Sequence, residues 1–275
     1  MQPSTEFTKY WHCPELGGLE VLKAHYQHRE FSRHVHEGFC INLVEDGAQA
    51  FYRSGSMHVA PKGDIVLVNA DDVHTGSPAA EHGWSYRALY PTPDMLAHIS
   101  QDFFQDGGVV PWFPNAVVHD EGLASQLRLL FDVLEQPNNA AYKETLYVTM
   151  LARLIGRHGQ HTQPLRTLPD AAYKVLLVKE HIAAHPEQEL TLSDLAALAG
   201  LSPWHFLRQF GKYVGLPPHA WLVQVRLQKA KQQLKQGLRI ADVAVACGFS
   251  DQSHFNRHFK RAMGITPSQY TTAIA

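Results

Sequence analysis

Two groups of residues in this 275-residue chain have types and spacings suited to chemistry. The first lies in the run Arg33-His34-Val35-His36-Glu37-Gly38-Phe39-Cys40. On a strand, His34, His36 and Cys40 share one face, because successive strand side chains alternate. A fold that returned His74 to that face would assemble an N, N, S, N set able to hold a tetrahedral metal ion. The same groups would also serve as a polar core or as the wall of a pocket for an organic ligand, so the cofactor stays unknown at this stage. The second group is cationic and polar: Trp204, His205, Arg208, Gln209 and Lys212, then Gln252, Ser253, Asn256, Arg257, Lys260 and Arg261. Arginine presents a bidentate donor pair to guanine, and glutamine or asparagine can pair with adenine. Lysine more often neutralises the phosphate backbone.

The elements that would carry the second group form a repeat. Thr191 opens a short helix whose apolar set is Leu192, Leu195, Ala196 and Ala199, and Gly200 ends it. Ser202 and Pro203 then supply an N-cap and a first-turn proline for a second helix with Phe206 and Phe210 inward. Ile240, Val243, Ala244 and Cys247 repeat the pattern 48 positions later, Gly248 repeats the turn, and Asp251 caps a helix carrying Phe255 and Phe259. The offset becomes 49 across that turn and holds for Arg208 with Arg257, Lys212 with Arg261, Gly215 with Gly264 and Trp221 with Tyr270. A register kept over so long a stretch is a duplicated motif of the helix-turn-helix kind. A helix from about His219 to Gln236 joins the two units and would fix the distance and rotation between their second helices.

Charge divides along the same line. Residues 1–170 carry a formal net charge of −8 and residues 171–275 one of +6. An acidic module joined to a nucleic-acid-binding module has this profile. The three cysteines, Cys13, Cys40 and Cys247, are far apart and form no CxxC pair, so a disulfide framework is not expected and a reducing cytoplasm is. The N-terminus lacks the basic stretch and apolar run of a secretory signal, and no apolar window is long enough to span a bilayer.

Residues 7–90 read as short strands broken by turns, which favours a β-sandwich or small barrel. Strands are expected at 21–28, 38–44, 49–53, 57–60, 64–69 and 84–90. Asp46-Gly47 and Ser54-Gly55 are candidate hairpin turns. A helix is expected over 94–104, and two amphipathic helices follow around Leu123–Leu134 and Leu146–Ile155, packed on the β core or paired in a dimer. Residues 156–170 contain few large apolar side chains and make the linker. The fold class is thus a mainly β domain with flanking helices followed by an all-α double helix-turn-helix domain. Its boundaries are 1–160, a linker at 161–170, and 171–275.

The run Gly248 to Arg261, followed by Gly264-Ile265-Thr266-Pro267-Ser268-Gln269-Tyr270, resembles the signature of AraC-type transcription regulators. The resemblance extends over roughly 171–272, with Gly-Leu-Pro-Pro at 215–218 and the Arg226-Leu227 pair. It implies two units in one domain, each placing its second helix in a major groove, with Trp204, Arg208, Ser253 and Arg257 at groove-contact positions. The stretch from about 20 to 90, with Pro61-Lys62-Gly63-Asp64 and Asp71-Asp72-Val73-His74, resembles a cupin-like effector-binding domain. Metal-binding cupins usually have glutamate where this chain has Cys40. The resemblance therefore implies a sequence-specific regulator, more often an activator, with no catalytic step. Its partners would be double-stranded DNA, a small effector held near His34, His36, Cys40 and His74, a second copy of the chain, and RNA polymerase. A metal-dependent cupin sensor or enzyme with a DNA-binding tail is the alternative.

Overall fold

The longest strand of the chain, Cys40–Arg53, is also the one on which the N-terminal unit is built. The computed structural model describes residues 6–104, 109–137, 140–160 and 170–274, and it separates into units of Met1–Pro164 and Leu165–Ala275. The first unit holds strands β1 (Phe7–Cys13), β2 (Leu19–Tyr26), β3 (Phe31–His34), β4 (Cys40–Arg53), β5 (Ser56–Pro61), β6 (Ile65–Val68), β7 (His74–Pro78) and β8 (Trp84–Tyr90). Helix α1 (Pro93–Phe103), strand β9 (Val117–Val118), and helices α2 (Glu121–Leu134) and α3 (Ala140–His158) complete it.

All strand pairs are antiparallel, and the main path is β1-β2-β8-β4-β6-β9. The second half of β4 leaves that path to pair with β5 and β7, and β7 pairs with β3. The expected break at Glu45-Asp46-Gly47 is therefore not a turn. The register against β8 shifts between Val44 and Asp46 while the strand continues, so the polar residues and the left-handed Gly47 mark a bulge where β4 bends from one half of the sheet into the other. Ser54-Gly55 does close a hairpin. Arg53 faces Ser56, and φ of 52° and 89° at the two loop residues is the type I′ geometry that matches strand twist. The two halves of the sheet face each other, with the Tyr26 and Phe31 rings 5.3 Å apart.

Strand β6 and the first five residues of β4 read as nearly unbroken apolar runs because both of their faces are covered. Leu19, Val21, Ile41, Leu43, Ile65, Leu67 and Leu89 point away from the interior of the folded sheet and form one core with Leu96 and Ile99 of α1, Leu123, Leu127, Leu130 and Phe131 of α2, and Met150, Leu151 and Leu154 of α3. Each such side chain contributes about 1.5–3 kcal/mol by leaving water. The apolar faces of α2 and α3 thus complete the β core, the first of the two uses expected for them. On β2, β6, β8 and the part of β4 before its bulge, the even-numbered residues, among them Tyr26, Asn42, Trp84, Tyr86 and Tyr90, point into the folded sheet.

The segment expected as a linker lies outside the described residues except for its ends: 156–158 still belong to α3, Gln160 pairs with Trp112, and Asp170 starts α4. The second unit contains α4 (Asp170–Ala184), α5 (Leu192–Leu198), α6 (Pro203–Val214), α7 (Pro218–Lys235), α8 (Ile240–Ala246), α9 (Gln252–Met263) and α10 (Pro267–Ile274). The duplicated motif is visible as two helical pairs, α5 with α6 and α8 with α9, joined by α7.

Candidate functional site

Helices α6 and α9 have the same construction. The Ser202 hydroxyl accepts a hydrogen bond from His205 N–H at 3.4 Å, and the Asp251 carboxylate accepts one from His254 N–H at 2.7 Å. Each cap satisfies an amide that the first helical turn leaves unpaired. Gly215 and Gly264 end the two helices in the left-handed conformation, at φ 81° and 83°. Phe206, Phe210, Phe255 and Phe259 are completely buried, so rotation of each helix about its axis is fixed by two aromatic side chains.

That rotation places the polar residues on the outside. Trp204, His205, Arg208 and Lys212 on α6 are exposed, as are Gln252, Ser253, Arg257, Lys260 and Arg261 on α9. Trp204 is 76% exposed, unusual for an indole and suited to stacking against a partner. Gln209 is half-buried and shares a hydrogen bond of 3.0 Å with His205 one turn earlier. Asn256 is half-buried with its carbonyl oxygen turned into the protein and unpartnered, which leaves it the least available of the group. Neither helix contains an acidic residue, and neither Arg208 nor Arg257 makes an ion pair among the described residues, so both guanidinium groups are available to phosphate or base edges.

The capping of the shorter helices differs between the copies. Thr191 and Asp194 form a reciprocal capping box on α5, whereas α8 begins at Arg239 with no side-chain cap. Hydrogen bonds from the Thr191 hydroxyl and backbone amide hold the Asp194 carboxyl below its ordinary pKa.

In the N-terminal unit, the structure brings His34, His36 and His74 together. Ring centroids are 4.2 Å apart for His34–His74 and 4.9 Å for each of the other two pairs. Two of the rings face each other across paired strands, since His34 is the register partner of His74. The expectation that His34, His36 and Cys40 lie on one continuous strand is corrected. Strand β3 ends at His34, the chain loops through His36, and Cys40 starts β4 beside Val68. Cys40 is accordingly not among the residues whose ligand atoms converge. Burial pushes its thiol up to about 12, and Tyr90 serves it as a hydrogen-bond donor.

The loop leading into His74 is pinned by a buried polar network. Arg53, with no exposed surface, donates from Nε to Asp72 Oδ2 at 2.9 Å and from Nη2 to the Phe113 carbonyl at 2.6 Å. Asn69 donates to Asp72 Oδ2 and to the same carbonyl, and accepts from Phe113 N–H at 2.8 Å. Arg53 also sits opposite His74 in the sheet. His36 is tied to that loop by its carbonyl, which accepts from Asp71 N–H at 2.9 Å. Burial holds the imidazoles of His34 and His74 below the ordinary histidine value, with the neighbouring His34 adding to the effect on His74.

Beyond the histidines, the interior has an aromatic wall that sequence reading did not single out. Tyr26, Trp84 and Tyr86 lie with ring centroids 5.4–6.2 Å apart, and Tyr90 sits 5.2 Å from His36. Asn42 donates to Gln49 at 2.8 Å, leaving Asn42 Oδ1 and Trp84 Nε1 buried with no partner among the described residues. The signal was present in the alternation Trp84-Ser85-Tyr86-Arg87-Ala88-Leu89-Tyr90, whose even positions share a face.

Comparison with known proteins divides the chain in the same two parts. An AraC-like ligand binding domain matches residues 16–149 and a helix-turn-helix domain matches residues 195–273. The chain is 31% identical over 226 residues to the uncharacterised HTH-type transcriptional regulator YbfI of Bacillus subtilis strain 168, covering 82% of each. It is 26% identical over 251 residues to the HTH-type transcriptional activator RhaS of Shigella sonnei, covering 86% of each. In fold it is similar to apo ToxT from Vibrio cholerae strain SCE256, with a TM-score of 0.58 at 13% identity, covering 94% of this chain and 98% of that one.

Proposed function

This chain belongs to the AraC family of transcriptional regulators, and on that premise we propose that it is a cytoplasmic activator which reads two adjacent major-groove segments and answers to a small effector held inside its β domain. The observation that carries the proposal is the repeated presentation of Arg208 and Arg257. Each lies on the outer face of a helix whose rotation is set by two buried phenylalanines and whose start is set by a side-chain cap. Base-specific contacts require such fixed geometry, whereas a mobile basic surface would bind any duplex.

In this reading Trp204, His205, Arg208, Gln209, Lys212, Gln252, Ser253, Asn256, Arg257, Lys260 and Arg261 face DNA. Lys212, Lys260 and Arg261 mainly neutralise phosphates. Leu207 and Ser253 offer apolar or weak readout. The effector lies near His34, His36 and His74, against the aromatic wall, where Asn42 Oδ1 and Trp84 Nε1 supply an acceptor and a donor. Cys40 lines this space rather than ligating it. The unit at 171–275 binds DNA, 1–160 senses the effector, and two copies associate through the sensing unit to occupy two half-sites. The similarity to RhaS supports activation, and an activator of this kind would contact RNA polymerase. Its role is to bind and couple, without turnover.

The test is selection of bound duplexes from a randomised pool by the full-length chain. Enriched sequences should contain two blocks separated by about one helical turn, roughly 34 Å. Enrichment of no sequence would remove the specific-regulator reading for these residues.

A further inference from the structure

We propose that His34, His36 and His74 hold one divalent transition-metal ion, with an open coordination position directed at the interior of the β domain. The metal site stands on its own geometry. That the open position meets the effector rests on the functional reading above.

One ligand atom from each histidine lies within 4.8 Å of the other two. Three nitrogens bound at about 2.1 Å in tetrahedral geometry would be about 3.4 Å apart, so the rings need close by no more than about 1.5 Å. The orientation of two of them is already set. His34 Nδ1 lies 2.7 Å from the Ser32 carbonyl and His74 Nδ1 lies 2.9 Å from the Asp72 carbonyl. A carbonyl only accepts, so Nδ1 carries the proton in both rings and Nε2 keeps its lone pair for coordination. The same arrangement, a ring held by the carbonyl two residues earlier, recurs on two strands that place His34 and His74 opposite each other. Such support is what a metal-ligating histidine requires: it fixes the tautomer and the ring orientation.

Nearby charge does not forbid an ion. The Arg53 guanidinium beside His74 is matched by the Asp72 carboxylate at 2.9 Å. Three imidazoles without a carboxylate suit zinc, nickel, cobalt or copper rather than magnesium or calcium, which prefer oxygen. Three protein ligands also leave at least one position for a water or an incoming donor atom.

The experiment adds Co2+ alone to the full-length chain, purified without an affinity tag or chelator, and follows visible absorption together with bound metal after equilibrium dialysis. One Co2+ per chain is expected, with a nitrogen and oxygen ligand-field spectrum and no thiolate charge-transfer band. His36→Ala, at a half-exposed loop position, should weaken binding by about 100-fold or more, and Cys40→Ser should leave it unchanged. Far-UV circular dichroism checks that the variant is folded, and His36→Gln replaces it if it is not. Fewer than about 0.1 Co2+ per chain, or undiminished binding after loss of both His36 and His74, overturns the proposal. So does a thiolate band that disappears in Cys40→Ser. Duplex selection in the presence of chelator reports separately on the regulator reading: an operator recovered there alongside absent metal binding rejects the metal site alone.

Discussion

Gly248 lies directly on the guanidinium of Arg226: a β-carbon at that glycine would stand 2.9 Å from Arg226 Cζ and Nη2. The glycine is the turn of the second helical pair, at φ 82°, and the arginine belongs to α7. Its counterpart in the first pair, Gly200, has φ 61° but nothing within 4 Å of the same position. Gly200→Ala should therefore cost only the left-handed strain, about 1 kcal/mol, whereas Gly248→Ala should cost about 3 kcal/mol by adding overpacking against Arg226. Urea denaturation of the two variants measures the difference. Equal losses would mean that Arg226 yields freely, and the rigid contact would have to be abandoned.

Direct readout by Arg257 has its own signature. Arg257→Ala should cost about 1–3 kcal/mol on the best duplex and relax the preference at one or two base pairs. Lys212→Ala should weaken good and poor duplexes more evenly and make binding less steeply dependent on salt. Titration of both variants against a selected site and a scrambled one decides the matter. An unchanged preference in Arg257→Ala would remove that residue from base recognition.

Acid should weaken the N-terminal unit through Asp120. This residue caps α2 by accepting from Leu123 N–H at 3.0 Å and also meets Arg157 at 2.8 Å and His158 at 3.3 Å. The Leu123 amide, with Arg157 and His158, holds the carboxyl down to about 2, against an ordinary value of 3.8. A depressed folded value means that its contribution is fully present above about pH 4 and is lost as pH falls toward 2. Asp120→Asn should lower stability at pH 7 and flatten the fall between pH 4 and pH 2. A fall as steep as in the parent chain would show that other groups set the acid limit.

Assembly through the sensing unit predicts a dimer in solution. The inner faces of α2 and α3 are spent on the β core, but Leu129 and Tyr142 on these helices remain 45% and 46% exposed. Light scattering across micromolar concentrations, with and without DNA, should give twice the chain mass of 30.9 kDa. Leu129→Glu should shift the equilibrium toward the single chain. A single-chain mass under every condition would remove the dimer.

The sequence was most legible where local rules dominate. Ser202, Asp251, Gly200, Gly248 and the four buried phenylalanines mark their elements by type and spacing, and the repeat made each position count twice. It was least legible where one strand serves two pairings. Glu45-Asp46-Gly47 has turn composition, yet it lies within β4 because a bulge uses the same residues that a hairpin would. Cys40 was grouped with the histidines by parity, which holds only along an unbroken strand, and the loop after His34 breaks it. His74 lies beside His34 because its strand returns to β3, but the network of Arg53, Asn69 and Phe113 that steadies it joins residues as many as 60 positions apart. No periodicity reports such contacts.

Arg226 donates to the carbonyls of Pro186 and Gln188, in the connection between α4 and α5, at 2.7 and 3.1 Å while its other side lies under Gly248. One side chain thereby clamps the approach to the first helical pair to the turn of the second. Under the proposed two-block reading, the helix-turn-helix domain is a caliper of fixed opening and fixed phase. Inserting half a turn of DNA, about five base pairs, between the two blocks would carry the second block to the opposite side of the duplex, where the caliper cannot follow; a full turn would restore the side but exceed the opening. Inserting one residue into α7 would have the same consequence from the protein side, rotating everything beyond it by about 100°. Compensating for either change requires bending the DNA, so tolerance of altered spacing should follow the flexibility of the bases between the blocks.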